Sequence, residues 1–379
     1  MIYLDNAAGT KPYPEVISTI TDVLQNYWGN ASADYSLGRD ARVIIDEVTN
    51  QVANDINCNP NEIIWTSGAC EANSLAILGV LNANHDTIFC TTKLEHTSID
   101  MIRHNIPRGT ELTIQNDMQG YVEIDSLEKT LKDIRDTYKG IPFVSISFAN
   151  SEIGVIQDIK SIAQIVHKYH GILHVDATQM YPWGGIDVQD LGIDLMSVSG
   201  QKMHCVKGVG FLYVRNGIKL KPLIYGSQQE GRRGGTMSTH LIAAFGKALE
   251  ITRRKNAANS ILSDFRDTLL YSLMKIDGVH LNGPLDSRLP NNISVTIDGV
   301  NASSLATMCD LMGVVVAKGA ACKSYEPKPS EALLAIGLTP EQALSTIRIS
   351  LSYFTTKQEI QEAADIITYL VKRIREENA

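Results

Sequence analysis

Between about residues 60 and 215 the chain alternates short β-rich runs, at 87–91, 143–147, 172–175, 195–198 and 210–214, with stretches of helical character. That alternation confines the fold to the α/β class with a largely parallel sheet. Ligands of such sheets sit beyond the carboxyl ends of the strands. Asp176 and Ser199 both fall there, so the segments that carry them are expected to face one crevice.

At 379 residues the chain is too long for one ordinary core and suits two domains. Beyond Thr236 the pattern turns helical, with Leu241, Phe245, Ala248 and Thr252, then Ile261, Phe265, Leu269 and Leu273, at three- and four-residue spacing. Thr339-Pro340-Glu341-Gln342 and the pair Thr356 and Glu359 carry helix-start signals. The C-terminal third is therefore expected to be a smaller α+β domain.

A net charge of −8 argues against a nucleic-acid or membrane-surface binder, because phosphate neutralisation needs clustered positive charge. No apolar run approaches the roughly 20 residues that span a bilayer, and the opening Met1-Ile2-Tyr3-Leu4-Asp5 is unlike a leader, so a cytoplasmic location is expected. The six cysteines, Cys58, Cys70, Cys90, Cys205, Cys309 and Cys322, include no Cys-x-x-Cys pair and are expected to be reduced thiols.

Three elements carry chemistry. Thr66-Ser67-Gly68-Ala69-Cys70-Glu71 follows the apolar Ile63-Ile64-Trp65 and opens a helical stretch, which suits phosphate held on main-chain N–H groups. Asp176-Ala177-Thr178-Gln179 offers a carboxylate, and Ser199-Gly200-Gln201-Lys202 a lysine amine. An amine for a Schiff base, a carboxylate for a pyridinium nitrogen and phosphate donors are the needs of pyridoxal phosphate (PLP). Cys322, in Lys318-Gly319-Ala320-Ala321-Cys322-Lys323-Ser324, adds a thiol suited to sulfur transfer. Taken singly, each has a blander reading: a solvated lysine, a helix cap, a small buried cysteine.

Their joint order does not. Leu4-Asp5-Asn6-Ala7-Ala8, Thr66-Ser67-Gly68-Ala69, Glu95-His96, Asn150-Ser151-Glu152-Ile153-Gly154, His174-Val175-Asp176-Ala177-Thr178-Gln179 and Thr346-Ile347-Arg348-Ile349-Ser350 occur in a sequence that resembles the cysteine desulfurases, fold-type I PLP enzymes that pass sulfur from L-cysteine to acceptor proteins. The resemblance implies a large domain at 12–250 with a mainly parallel seven-stranded sheet, and a small domain from 1–11 and 251–379. It implies that Lys202 carries the Schiff base, Asp176 meets the pyridinium nitrogen, Gln179 the ring hydroxyl, and that His96 stacks on the ring and assists proton transfer. Gly68, Ala69, Cys70, Ser199 and Gln201 would hold the phosphate, with Thr236 reaching in from a second subunit of a homodimer. Asn150 and Arg348 would bind the substrate carboxylate. Cys322 would take the sulfur as a persulfide for an acceptor in iron-sulfur cluster assembly or tRNA thiolation, and no metal site is implied.

The chain departs from the family around the phosphate and substrate. Gln201 stands where a histidine is usual, Cys70 replaces a threonine, Asn150-Ser151 replaces Asn-Asn, which leaves open which of the two meets the substrate carboxylate, and the glycine-rich stretch 226–236 is one residue short, with Arg232-Arg233 inside it. Weak cofactor retention or a shifted substrate is the expectation. Two other readings share much of the pattern: another fold-type I PLP enzyme, such as a selenocysteine lyase or aminotransferase, and a catalytically silent homologue that binds sulfur carriers.

Overall fold

The computed structural model describes residues 1–106, 111–256, 259–321 and 328–378. A seven-stranded sheet runs in the order Ile63–Thr66, Gly210–Val214, Leu195–Ser199, Ile172–Asp176, Ile141–Ser147, Thr87–Thr91, Glu111–Thr113. Gly210–Val214 alone runs against its neighbours. The five runs read from the sequence are all there, within two residues at their ends. Ile63–Thr66 and Glu111–Thr113 were not read as strands. Both are edge strands of four and three residues, too short for a period to show.

The central strands are buried on both faces because helices cover both, as parallel sheets require. Alternate side chains part company: Phe89, Phe143, Leu195 and Leu212 pack with Leu75, Ala76 and Ile77 of the helix Ala69–Ala83. Their neighbours Cys90, Val144, Met196 and Phe211 pack on the other face, with Val48, Leu131, Ile162 and Phe245 from four further helices. Apolar side chains fill both layers, and the sheet between them presents its strand ends to the cleft.

A second, antiparallel sheet, in the order Ala317–Lys318, Thr346–Ser350, Asn292–Ile297, Val279–Leu281, is covered by Asn259–Leu273, Ala302–Leu311 and Lys357–Asn378. Thr339 and Gln342 form the expected capping box, and Thr356 and Glu359 exchange the same pair of bonds. Ile2–Tyr3 pairs in parallel with Val314–Val315, and Ile2 and Leu4 join the buried cluster that includes Ile293, Val295 and Ile347 of this second sheet. No helix among the described residues is long and apolar enough to cross a membrane.

Candidate active site

Asp176 and Ser199 are the last residues of neighbouring strands, Lys202 lies one helical turn beyond Ser199, and Gly68 caps Ala69–Ala83. Together they line a cleft of about 450 Å³, with Ala69, Cys70, His96, Gln179, Gln201 and Arg348. The close approach of Gly68 to the sheet depends on Gly210, where a Cβ would collide with the Val198 carbonyl and the Gly68 Cα. Gly68 itself has φ 146°, which a side chain would strain.

Lys202 Nζ donates to the carbonyls of Ala7 at 2.7 Å and Ala8 at 2.8 Å, and Gln179 Nε2 donates to the Ala7 carbonyl at 3.1 Å. The N-terminal segment is thus a strap across the lysine. Burial, and next the Arg348 guanidinium, push the Lys202 pKa down to about 8, against the pull of Asp5, Asp176 and Cys70.

The acidic end of the cleft is a closed hydrogen-bond network. Asp176 is buried; its Oδ2 accepts from Asn73 Nδ2 at 2.8 Å and its Oδ1 from the Thr178 N–H at 3.0 Å. Behind it, burial holds His174 neutral, its pKa lowered to about 4 despite the Asp176 charge. His174 bonds Ser145 at 2.8 Å and Ser197 at 2.9 Å instead. Glu95 bonds Ser147 and Thr92; loss of hydration lifts its pKa to about 7, and Asp176 adds to the rise.

At the helix end, Glu71 accepts from Arg233 at 2.7 and 3.2 Å and from the Ser67 N–H at 2.7 Å. Burial would raise the Glu71 pKa, but these bonds and the Arg233 charge lower it on balance. Arg233 therefore docks the glycine-rich stretch onto the cleft rim, while Arg232 pairs with Glu230 at 3.6 Å. Cys70 is exposed. Thr236 is exposed and is not among the residues lining the cleft of this chain.

Arg348 lines this cleft and an adjoining cavity of about 830 Å³. Its Nη2 donates to Asp5 at 2.7 Å and its Nη1 to the Ser151 carbonyl at 3.3 Å; its buried Nε has no partner among the described residues. Asn150 lines only the larger cavity, and its amide is spent on the Leu94 carbonyl and on the Glu152 and Ile153 N–H groups. Ser151 lines both. Gly319 and Lys328, on either side of the Cys322 segment, line the larger cavity. Cys322 itself lies outside the described residues.

The sequence reading missed Asn73, the pairing of Asp5 with Arg348 and that of Glu71 with Arg233. Asn73 and Glu71 follow the phosphate-loop motif on its helix, and Asp5 lay inside a quoted motif, but nothing in a linear pattern shows which partner each meets.

The donor set fits PLP. An amine, a buried carboxylate, the first turn of a 15-residue helix and the Ser199 hydroxyl surround one space, and Thr178 Oγ1, buried and lining it, has no partner among the described residues.

The profile of the Aminotransferase class-V family matches residues 2–362. The cysteine desulfurase IscS of Dictyoglomus turgidum is 36% identical over 99% of this chain and 95% of its own. The cysteine desulfurase IscS 1 of Archaeoglobus fulgidus is 34% identical over 99% and 98%. Among solved structures, a NifS-like protein superposes with a TM-score of 0.90 at 27% identity, covering 98% of this chain and 99% of that one. SspA in complex with cysteine gives 0.79 at 26%, covering 94% and 100%. With the profile and full-length relatives agreeing, and a cleft whose groups suit their chemistry, the chain belongs to the class-V aminotransferases and, within them, to the cysteine desulfurases.

Proposed function

We propose that this chain binds PLP through Lys202 and converts L-cysteine to L-alanine, passing the sulfur as a persulfide on Cys322 to an acceptor protein. The observation that carries the reading is the meeting of Lys202, Asp176 and Arg348 on one cleft. PLP, once bound, supplies an electron sink for charge developing at the substrate Cα. Asp176 would hold the ring nitrogen and Gln179 the ring hydroxyl, with His96 against the ring. Gly68, Ala69, Cys70, Ser199 and Gln201 would hold the phosphate on the N-terminus of Ala69–Ala83.

The chain's own groups divide the work. Arg348 pairs with the substrate carboxylate, whose oxygens would satisfy its buried Nε. Ser151 borders the same space, whereas the committed amide of Asn150 shapes the wall. Lys202, with its pKa lowered to about 8, is the base for the Cα proton. The Cys322 thiolate attacks the substrate sulfur; the new S–S bond forms as the substrate Cβ–S bond breaks, its electron pair staying with carbon, which is protonated to the methyl of alanine.

We further propose a homodimer in which Thr236 of each chain completes the other's phosphate site, and a division into 12–250 against 1–11 with 251–379. In support, one buried cluster runs from Tyr13 to Ile251, and another joins Ile2 and Leu4 to residues between Leu262 and Ile374.

The test is alanine formation from L-cysteine by PLP-loaded protein beside Cys322→Ser. Alanine from the wild type and none from the variant is expected. Bound PLP with no alanine from either would sink the reading.

A further inference from the structure

Asn73 is fully buried in the second turn of Ala69–Ala83, and its Nδ2 lies 2.8 Å from Asp176 Oδ2 and 2.9 Å from Ser98 Oγ. A carboxylate only accepts, so the nitrogen of the amide, not its oxygen, faces Asp176. Both hydrogens of that NH2 are then spent, one on each neighbour. Ser98 Oγ accepts from Asn73 and has its own proton to give, and His96 Nδ1 lies 2.8 Å away. The Ser98 backbone N–H points at the same nitrogen from 3.1 Å.

A main-chain N–H can only donate, so Nδ1 must offer a lone pair. The imidazole is then neutral and its proton sits on Nε2. This bond is also the N-cap of Thr97–Arg103, a place where serine, threonine, aspartate or asparagine is usual. A capping histidine fixes more than the helix end: it fixes which ring nitrogen carries the proton.

We propose that Asn73 and Ser98 are positioning residues that hold His96 as its Nε2–H tautomer and tie it to Asp176, so that His96 meets the substrate as a proton donor. A nitrogen that already carries its proton cannot take the one from Cα. That task stays with the Lys202 amine, and base and acid are two separate residues. The catalytic meaning rests on the desulfurase reading; the tautomer does not.

The test is a two-bond proton–nitrogen correlation spectrum of the PLP-loaded protein carrying 15N-histidine, with His96 assigned by its loss in His96→Gln. The expected spectrum shows Nδ1 unprotonated and Nε2 protonated. A protonated Nδ1 at neutral pH, in the other tautomer or as imidazolium, overturns the proposal. Ser98→Ala should move the tautomer ratio toward Nδ1–H by about fivefold, the worth of one neutral hydrogen bond, and Ser98→Thr should restore it. A purely structural serine would change thermal stability and leave the ratio alone, and that result removes Ser98. Asn73→Ala, which frees the Ser98 hydroxyl to turn away, should shift the ratio the same way by less; no shift removes Asn73. Because the spectrum reads the imidazole itself, an Nε2–H tautomer in a protein that makes no alanine counts against the desulfurase reading alone.

Discussion

At the acidic end of the cleft Asp176 is held by Asn73 and Thr178, with His174 kept neutral behind it, whereas at the helix end Cys70 is exposed and the offered donors are largely main-chain N–H groups. The first end depends on side-chain identity, since an unpaired buried carboxylate is costly. The second depends on a helix terminus, which almost any sequence supplies. Cys70 and Gln201, two of the positions where the sequence leads one to expect other residues, both line the cleft in which the helix end lies, and there main-chain donors tolerate such changes.

The largest effect that would break this contrast comes from the lysine between the two ends. Lys202→Ala should abolish both the Schiff-base absorption band and alanine formation; residual turnover above background would place the reacting amine elsewhere. Asp176→Ala should lower alanine formation at least about a hundredfold while PLP is still retained at the helix end. A loss of less than tenfold would mean the acidic end is not the electrostatic partner of the cofactor.

Next in size is Arg348. Its charge is one of the causes that depress the Lys202 pKa, and only the neutral amine can bond the cofactor aldehyde. Cofactor attachment to the apoprotein, followed by stopped-flow absorbance, should therefore speed up as pH rises through about 8. In Arg348→Gln the amine keeps its proton to higher pH, so the midpoint should move up, and the KM for L-cysteine should rise about tenfold. An unmoved midpoint would show that burial alone sets the lysine.

Smaller effects belong to the helix end. Arg233→Ala leaves the Glu71 carboxylate on the cleft rim without its partner, and the PLP dissociation constant, measured by equilibrium dialysis, should rise about fivefold if the phosphate sits at this end as proposed. Gln201→His with Cys70→Thr should lower it, by about threefold. Equal retention by that double variant and the unmodified protein would show that the backbone donors already suffice.

Much of this was legible in one dimension. The five central strands declared themselves because a parallel sheet buries both faces, so runs such as Leu195–Ser199 are buried throughout and carry no charged residue. The site groups that end strands or begin a helix, Asp176, Ser199 and Gly68, were legible because those positions follow from the elements themselves. What stayed hidden was pairing across long separations: Asp5 with Arg348, Glu71 with Arg233 and Asn73 with Asp176 lie in contact only after the sheet has closed. Gln229 is the extreme case. Its side-chain amide bonds both the N–H and the carbonyl of Trp65, standing in for the strand that the sheet edge lacks, from a loop whose glycines gave no such signal.

The parallel pairing of Ile2–Tyr3 with Val314–Val315 has a consequence for how the protein is made. Ile2 and Tyr3 wait for partners at Val314 and Val315, far along the chain, while the large sheet, complete by Val214, can already collapse. The carbonyls of Ala7 and Ala8 that receive the Lys202 amine are in that waiting segment. A nascent chain arrested before Val314 would hold a folded sheet around an unstrapped lysine, and competence for sulfur chemistry would arrive only once Val314–Val315 has seated the strap.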